Sequence, residues 1–195
     1  MDEALRIGRL GAAMRIVIAM VGLVALLGCA SQPVNRVSTV PLEVEGAVDL
    51  NRYLGRWFEI ARFENRFERN CEGVTADYSM RKDGLIRVEN TCREGSPAGE
   101  ERKAVGRAKI VDPKTNAKLK VSFFGPFWGD YWILDLTDDY SRSIVGEPSG
   151  RYLWILSRSP TITPQSRDEA MKKLAGLGYD VSRLYFTRQA PAAEP

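Results

Sequence analysis

The chain has 195 residues, 28 Lys+Arg against 25 Asp+Glu, three cysteines and no histidine. Its net charge of +3 is spread along the chain without a block of like charges, which argues against a nucleic-acid binder. The absence of histidine excludes Ser-His-Asp and Cys-His triads, His-containing zinc sites and His-ligated haem.

At the N-terminus, Arg15 precedes one apolar run, Ile16 to Leu27, which stops at Gly28-Cys29. The run suits a signal-peptide core of about 7–15 residues and is short of the ~20 that a membrane-spanning helix needs. Leu26-Leu27-Gly28-Cys29 reads as a lipobox and predicts diacylglycerol on Cys29; an ordinary secretory signal with a chance cysteine is the alternative. Met14 is an alternative start, because Asp2 and Glu3 are unusual in a basic leader. Ala30, where an Asp would retain a lipoprotein in the inner membrane, points to sorting to the outer membrane. The expected division is a signal peptide over 1–28, a lipidated tether over 29–46 with Pro33 and Pro41, one domain over 47–189 and a tail over 190–195.

A turn over Asp49–Leu54 leads through Gly55 into a first strand, Arg56–Phe63. Strict alternation would place Trp57, Glu59, Ala61 and Phe63 on one face and Phe58, Ile60 and Arg62 on the other. Gly73–Arg81 and Leu85–Arg93 form a hairpin about Asp83-Gly84, a strong turn signal. With Cys29 lipidated, Cys71 and Cys92 remain as an even pair flanking that hairpin, so a disulfide is expected, with a bulge to absorb their offset. Further strands follow at 102–111, 117–124, 131–136, 140–146 and 151–157, then a helix from Pro164 to Gly176 or Gly178 and a last strand at 181–188. Eight short strands joined by short turns predict an all-β fold: an antiparallel up-and-down barrel with one C-terminal helix packed outside. Such a barrel is just wide enough for one small ligand. If Trp57 plugs one end, the loops near 64–72, 94–101, 125–130 and 147–150 surround the other, open end.

The segment Gly55-Arg-Trp57 opening the first strand, the strand series and Tyr152-Leu-Trp-Ile-Leu-Ser-Arg158 near the end together resemble the lipocalin family. The similarity is greatest to bacterial outer-membrane lipocalins related to apolipoprotein D, and it covers residues 47–189. It implies that Arg158 lies over Trp57 and closes the bottom, a cation–π contact of roughly 0.5–2 kcal/mol. It also implies a second motif at the Asp138-Asp-Tyr140 turn, although Thr137 departs from the usual Thr-Asp-Tyr spacing by one residue. The implied function is non-covalent binding of a fatty acid or lysophospholipid for storage, transport or envelope maintenance, by a protein anchored in the outer membrane with its body in the periplasm.

By alternation, the inward candidates for a lipid chain are Trp57, Glu59, Ala61, Tyr78, Phe123, Tyr131, Ile133, Trp154 and Leu156, some of which would simply fill the core. Glu59, if inward, must be paired or protonated, with Arg107 or Tyr140 as partner. Phe127 and Trp128 sit in one mouth loop, with Arg62, Arg66 and Arg69 in or beside the opposite one. That set would suit a phospholipid headgroup, or it is a solvated loop. No phosphate loop, metal-ligand cluster or cofactor motif is present in the sequence, and no enzyme is expected. Two rivals stay open: a lipocalin-fold enzyme using Glu59 and Tyr78, and a filled barrel without a ligand. A homodimer is left open as well.

Overall fold

The computed structural model describes residues 32–37, 39 and 41–190. The signal peptide and Cys29 lie outside these residues, as does the end of the tail beyond residue 190.

Eight strands run in chain order: β1 (Gly55–Phe63), β2 (Cys71–Met80), β3 (Ile86–Glu94), β4 (Glu101–Ile110), β5 (Lys118–Ser122), β6 (Gly129–Leu136), β7 (Arg142–Gly146) and β8 (Leu153–Ser157). Each pairs antiparallel with the next, and β1 closes the barrel by pairing with both β2 and β8. Closure removes the exposed edges that an open sheet of this size would present. A short helix α1 (Leu50–Tyr53) precedes β1, and α2 (Pro164–Gly176) follows β8. A 3₁₀ turn (Val181–Arg183) then leads into β9 (Leu184–Phe186).

Strand β1 is shared by two neighbours on one edge. Gly55–Phe58 pairs with Tyr78–Thr75 of β2, whereas Ala61–Phe63 pairs with Phe186–Leu184 of β9. Where β2 parts from β1, the chain after β9 fills the seam. Thr187 N–H donates to the Ile60 carbonyl, Gly73 N–H donates to the Arg188 carbonyl, and the Gln189 amide donates to the carbonyls of Glu59 and Val74. The expected final strand over 181–188 is therefore a three-residue strand followed by a wedge of side-chain and backbone hydrogen bonds.

Two apolar cores lie on opposite faces of the sheet. Inside the barrel, Trp57, Ala76, Tyr78, Val88, Ile133, Val145 and Leu156 pack together. Outside, Ile60, Phe63, Leu134, Ile144, Leu153 and Ile155 meet Ala170 and Leu174 of α2. Thr163 caps α2, accepting from Ser166 N–H, and Pro164 occupies its first turn, where no N–H is needed. Each large aliphatic side chain buried there contributes about 1.5–3 kcal/mol.

A β-bulge between Glu59 and Ala61 shifts the register of β1 against β8. It overturns the strict alternation expected for this strand. Ile60, Ala61 and Phe63 all join the helix-side core, while Glu59 and Arg62 form one buried ion pair. A second bulge, between Glu72 and Thr75, absorbs the offset at the hairpin and is built around Gly73, whose φ of +55° an L side chain rarely adopts. The Cys71–Cys92 disulfide forms across that bulge, with the two Cα atoms 5.3 Å apart.

The stretch expected to be a tether is, in its described part, laid against the barrel. Asn35 N–H donates to the Gly150 carbonyl and Val37 N–H to Gly178, while farther along Glu45 N–H donates to Ile133 and Val48 N–H to Thr115. Leu42 and Val44 pack on the helix-side core. Prolines remove backbone donors without preventing this, because the side chains and the remaining amides find partners on the barrel wall.

Candidate functional site

The closed end is built from α1 upward. Asp49 caps the helix through Asn51 N–H, and Gly55, at φ +92°, turns the chain into β1. The last carbonyls of so short a helix have no intrahelical partner. Arg158 supplies one: its Nη2 donates to the carbonyls of Arg52, Tyr53 and Leu54 at 2.6, 3.1 and 2.9 Å, and its Nη1 donates to Arg56 at 2.7 Å. Its guanidinium carbon lies 3.8 Å from the centre of the fully buried Trp57 ring. Trp57 in turn donates its indole N–H to the Tyr53 carbonyl. Tyr140, with φ +62°, brings its hydroxyl to Asp49 N–H at 2.7 Å and its ring under Arg52 at 3.9 Å. The β6–β7 turn is thus tied to α1, and the one-residue departure in that motif does not prevent it.

Above this floor the barrel encloses a cavity of about 90 Å³. That is small beside ligand pockets of roughly 300–1,000 Å³. Its walls are apolar: Val74, Ala76, Ile86, Val88, Ala108, Leu119, Val121 and Leu156. Three phenols line its lower part. Tyr131 Oη lies 2.9 Å from Tyr53 Oη and 3.0 Å from Tyr78 Oη, and Tyr53 Oη lies 3.2 Å from Ser143 Oγ. Burial pushes the Tyr53 hydroxyl up to about 12 and raises Tyr78 and Tyr131 as well. These hydroxyls stay protonated at physiological pH and serve as hydrogen-bonding groups, not as bases.

Toward the mouth the lining becomes charged. Glu59 Oε1 accepts from Arg62 Nη1 at 2.6 Å and from the Thr187 hydroxyl. Arg62 and Thr187 are therefore its partners, in place of the expected Arg107 or Tyr140. Burial first, and then the Glu68 carboxylate, push the Glu59 carboxyl up to about 8, against the pull of Arg62 and Thr187. Glu68, on the loop between β1 and β2, accepts through Oε2 from Trp154 Nε1 at 2.9 Å and from Asn65 at 2.6 Å.

Of the residues nominated from the sequence, Glu59, Tyr78, Tyr131, Trp154 and Leu156 line the cavity. The others do not. Trp57 and Ile133 are fully buried in the inner core and act as filling below and beside the cavity. Ala61 is turned to the helix side by the bulge in β1. Phe123 packs at the edge of the inner core against the backbone of Gly106. Phe127 is 76% exposed, and Trp128 lies over Arg107 and Lys109, which flank the inward Ala108 on the opposite, outer face of β4. Arg62 is buried, so of the three arginines only Arg66 and Arg69 stand exposed in the mouth loop. The wall residues at 74, 76, 86 and 88 were missed although their period-2 spacing was readable. Leu50, Tyr53 and Leu54 were missed because a turn, not a helix facing the cavity, was expected there.

A family model described as "Lipocalin-like domain" matches residues 48–189. The chain is 44% identical over 141 residues to "Outer membrane lipoprotein Blc" of Escherichia coli (strain K12), covering 72% of this chain and 79% of that protein. It is 34% identical over 157 residues to "Apolipoprotein D" of Mus musculus, covering 75% of this chain and 80% of that one. The structure of insecticyanin from the tobacco hornworm Manduca sexta superposes with a TM-score of 0.64 at 20% identity, covering 81% of this chain and 89% of that one.

Proposed function

The chain belongs to the lipocalin family, and on that premise we propose that its barrel takes up the apolar chain of an amphipathic lipid, in a lipoprotein anchored in the outer membrane through Cys29. One observation carries the binding half of this reading: an apolar-walled cavity persists between a sealed floor and the mouth loops instead of being filled by side chains. Burying each methylene of a guest chain in such a slot is worth about 0.8 kcal/mol. Tyr78, Tyr131, Trp154 and Leu156 are the predicted contacts among the sequence nominees, joined by Val74, Ile86, Val88 and Leu119. The anchoring half rests on the lipobox and on the similarity to an outer-membrane lipoprotein.

Binding is favoured over catalysis by how the inward polar groups are held. The phenols are locked in one hydrogen-bonded cluster, and Glu59 is paired with Arg62. Native mass spectrometry of the protein purified from its own envelope tests the reading. A co-purified lipid is the expected result; an empty barrel under all extraction conditions overturns lipid binding, and a chemically converted lipid would make the protein an enzyme. For the anchor, Cys29→Ser is expected to release the protein from the membrane fraction, and retention after carbonate washing would overturn lipidation.

A further inference from the structure

The cavity's polar lining has one sign. Among the residues that line it, the charged side chains are Glu59 and Glu68, with no lysine or arginine. Arg62 stands behind Glu59, bonded to its Oε1, and is not part of the lining. Among the described residues, the protein's bonds to each carboxylate fall on one oxygen, Oε1 of Glu59 and Oε2 of Glu68. The second oxygen of each is left for a guest. An independent observation has the same chemistry: Asn90, also in the lining, has a buried Oδ1 with no hydrogen-bond partner. A buried acceptor left without a donor costs free energy, and here three acceptors share one cavity.

Resting on the reading of the barrel as a lipid binder, we propose that Glu59, Glu68 and Asn90 form an acceptor station in the cavity that selects amphiphiles carrying hydroxyl or ammonium donors at this level over those carrying a carboxylate. The geometry orients the guest. Glu68 is on a mouth loop, whereas the tyrosines stand at the floor, so the polar end lies at the station and the chain runs down toward Tyr53 and Tyr131. A free fatty acid entering the same way would bring its carboxylate against that of Glu68 with no lysine or arginine in the lining to offset it, Arg62 being already committed to Glu59, a like-charge juxtaposition that discriminates in a desolvated site. Glu68 already acts in this sense before any ligand arrives: after burial, its carboxylate is the second cause that raises the proton affinity of Glu59.

The test compares a long-chain primary amine, a monoacylglycerol and a fatty acid of one chain length, each below its micelle concentration at neutral pH, titrated by calorimetry into the full mature protein. The amine and the monoacylglycerol are expected to bind about tenfold or more tighter than the fatty acid, and Glu68→Gln, which keeps an oxygen for Trp154, should narrow the amine's advantage by about tenfold. A fatty acid that binds as well as the amine to the unmodified protein overturns the proposal without needing any variant. An unchanged ratio in Glu68→Gln overturns the role of Glu68 in the station. If all three chains bind alike, the station falls and lipid binding stands; if none binds, lipid binding falls with it.

Discussion

Replacing Arg158 tests how the closed end is held. The side chain caps the carbonyls of Arg52, Tyr53 and Leu54, bonds a fourth at Arg56, and stacks 3.8 Å from the centre of Trp57. Removing it to alanine loses a partly desolvated cation–π contact worth about 1–2 kcal/mol. It also loses the net contribution of a charged hydrogen-bonding group, about 1.5–3 kcal/mol for the fork as a unit. The expected destabilisation of Arg158→Ala is therefore about 3–4 kcal/mol, taken near the middle because the two losses share one group. Arg158→Lys keeps a charge over Trp57 but offers three donors on a point rather than a planar fork, so about 1–2 kcal/mol is expected to be lost. Urea unfolding followed by tryptophan emission measures both, Trp57 being itself a reporter. A loss below about 1 kcal/mol in Arg158→Ala, or equal losses in the two variants, would refute the account of the fork as the cap of α1.

Other consequences are open to direct measurement. Reducing the Cys71–Cys92 bridge, which closes a loop of 21 residues, should cost about 3 kcal/mol on the chain-entropy account, and an unchanged urea midpoint would contradict it. Trp154→Glu adds a third carboxyl group beside Glu68 and should weaken fatty-acid binding by about tenfold or more, since an unpaired charge in the cavity is costly. Leu153→Ala, on the helix side, should instead lose about 2–5 kcal/mol of stability with the affinity of the folded fraction unchanged. Equal behaviour of these two variants would mean that β8 is facing the wrong way. The Asp139 carboxylate is held down to about 2 by Ser141 N–H first, then by the hydroxyls of Ser141 and Thr137. A depressed folded value stabilises above the ordinary value of 3.8, and that contribution disappears as pH falls toward 2; an NMR titration midpoint near 3.8 would overturn it.

Much of the architecture was legible because it depends on short-range rules. Period-2 patterning located all eight barrel strands, the Asp83-Gly84 turn set the hairpin, and Pro164 marked the helix start, since each is decided by residues adjacent in sequence. The pairing of Cys71 with Cys92 followed from that hairpin, and the inward face of Trp154 and Leu156 followed from strand alternation. What only the tertiary structure decided began where one extra residue changes parity. The bulge at Ile60 puts Ala61 on the outer face and turns Arg62 onto Glu59, and nothing local announces it, because a bulge is stabilised by the partner strand and not by its own sequence. The acceptor-lined upper cavity is of the same kind. Glu59, Glu68, Asn90 and Trp154 come from four separate elements, and Thr187 arrives from more than a hundred residues away, so their meeting is set by barrel closure and by the chain that wedges between β1 and β2.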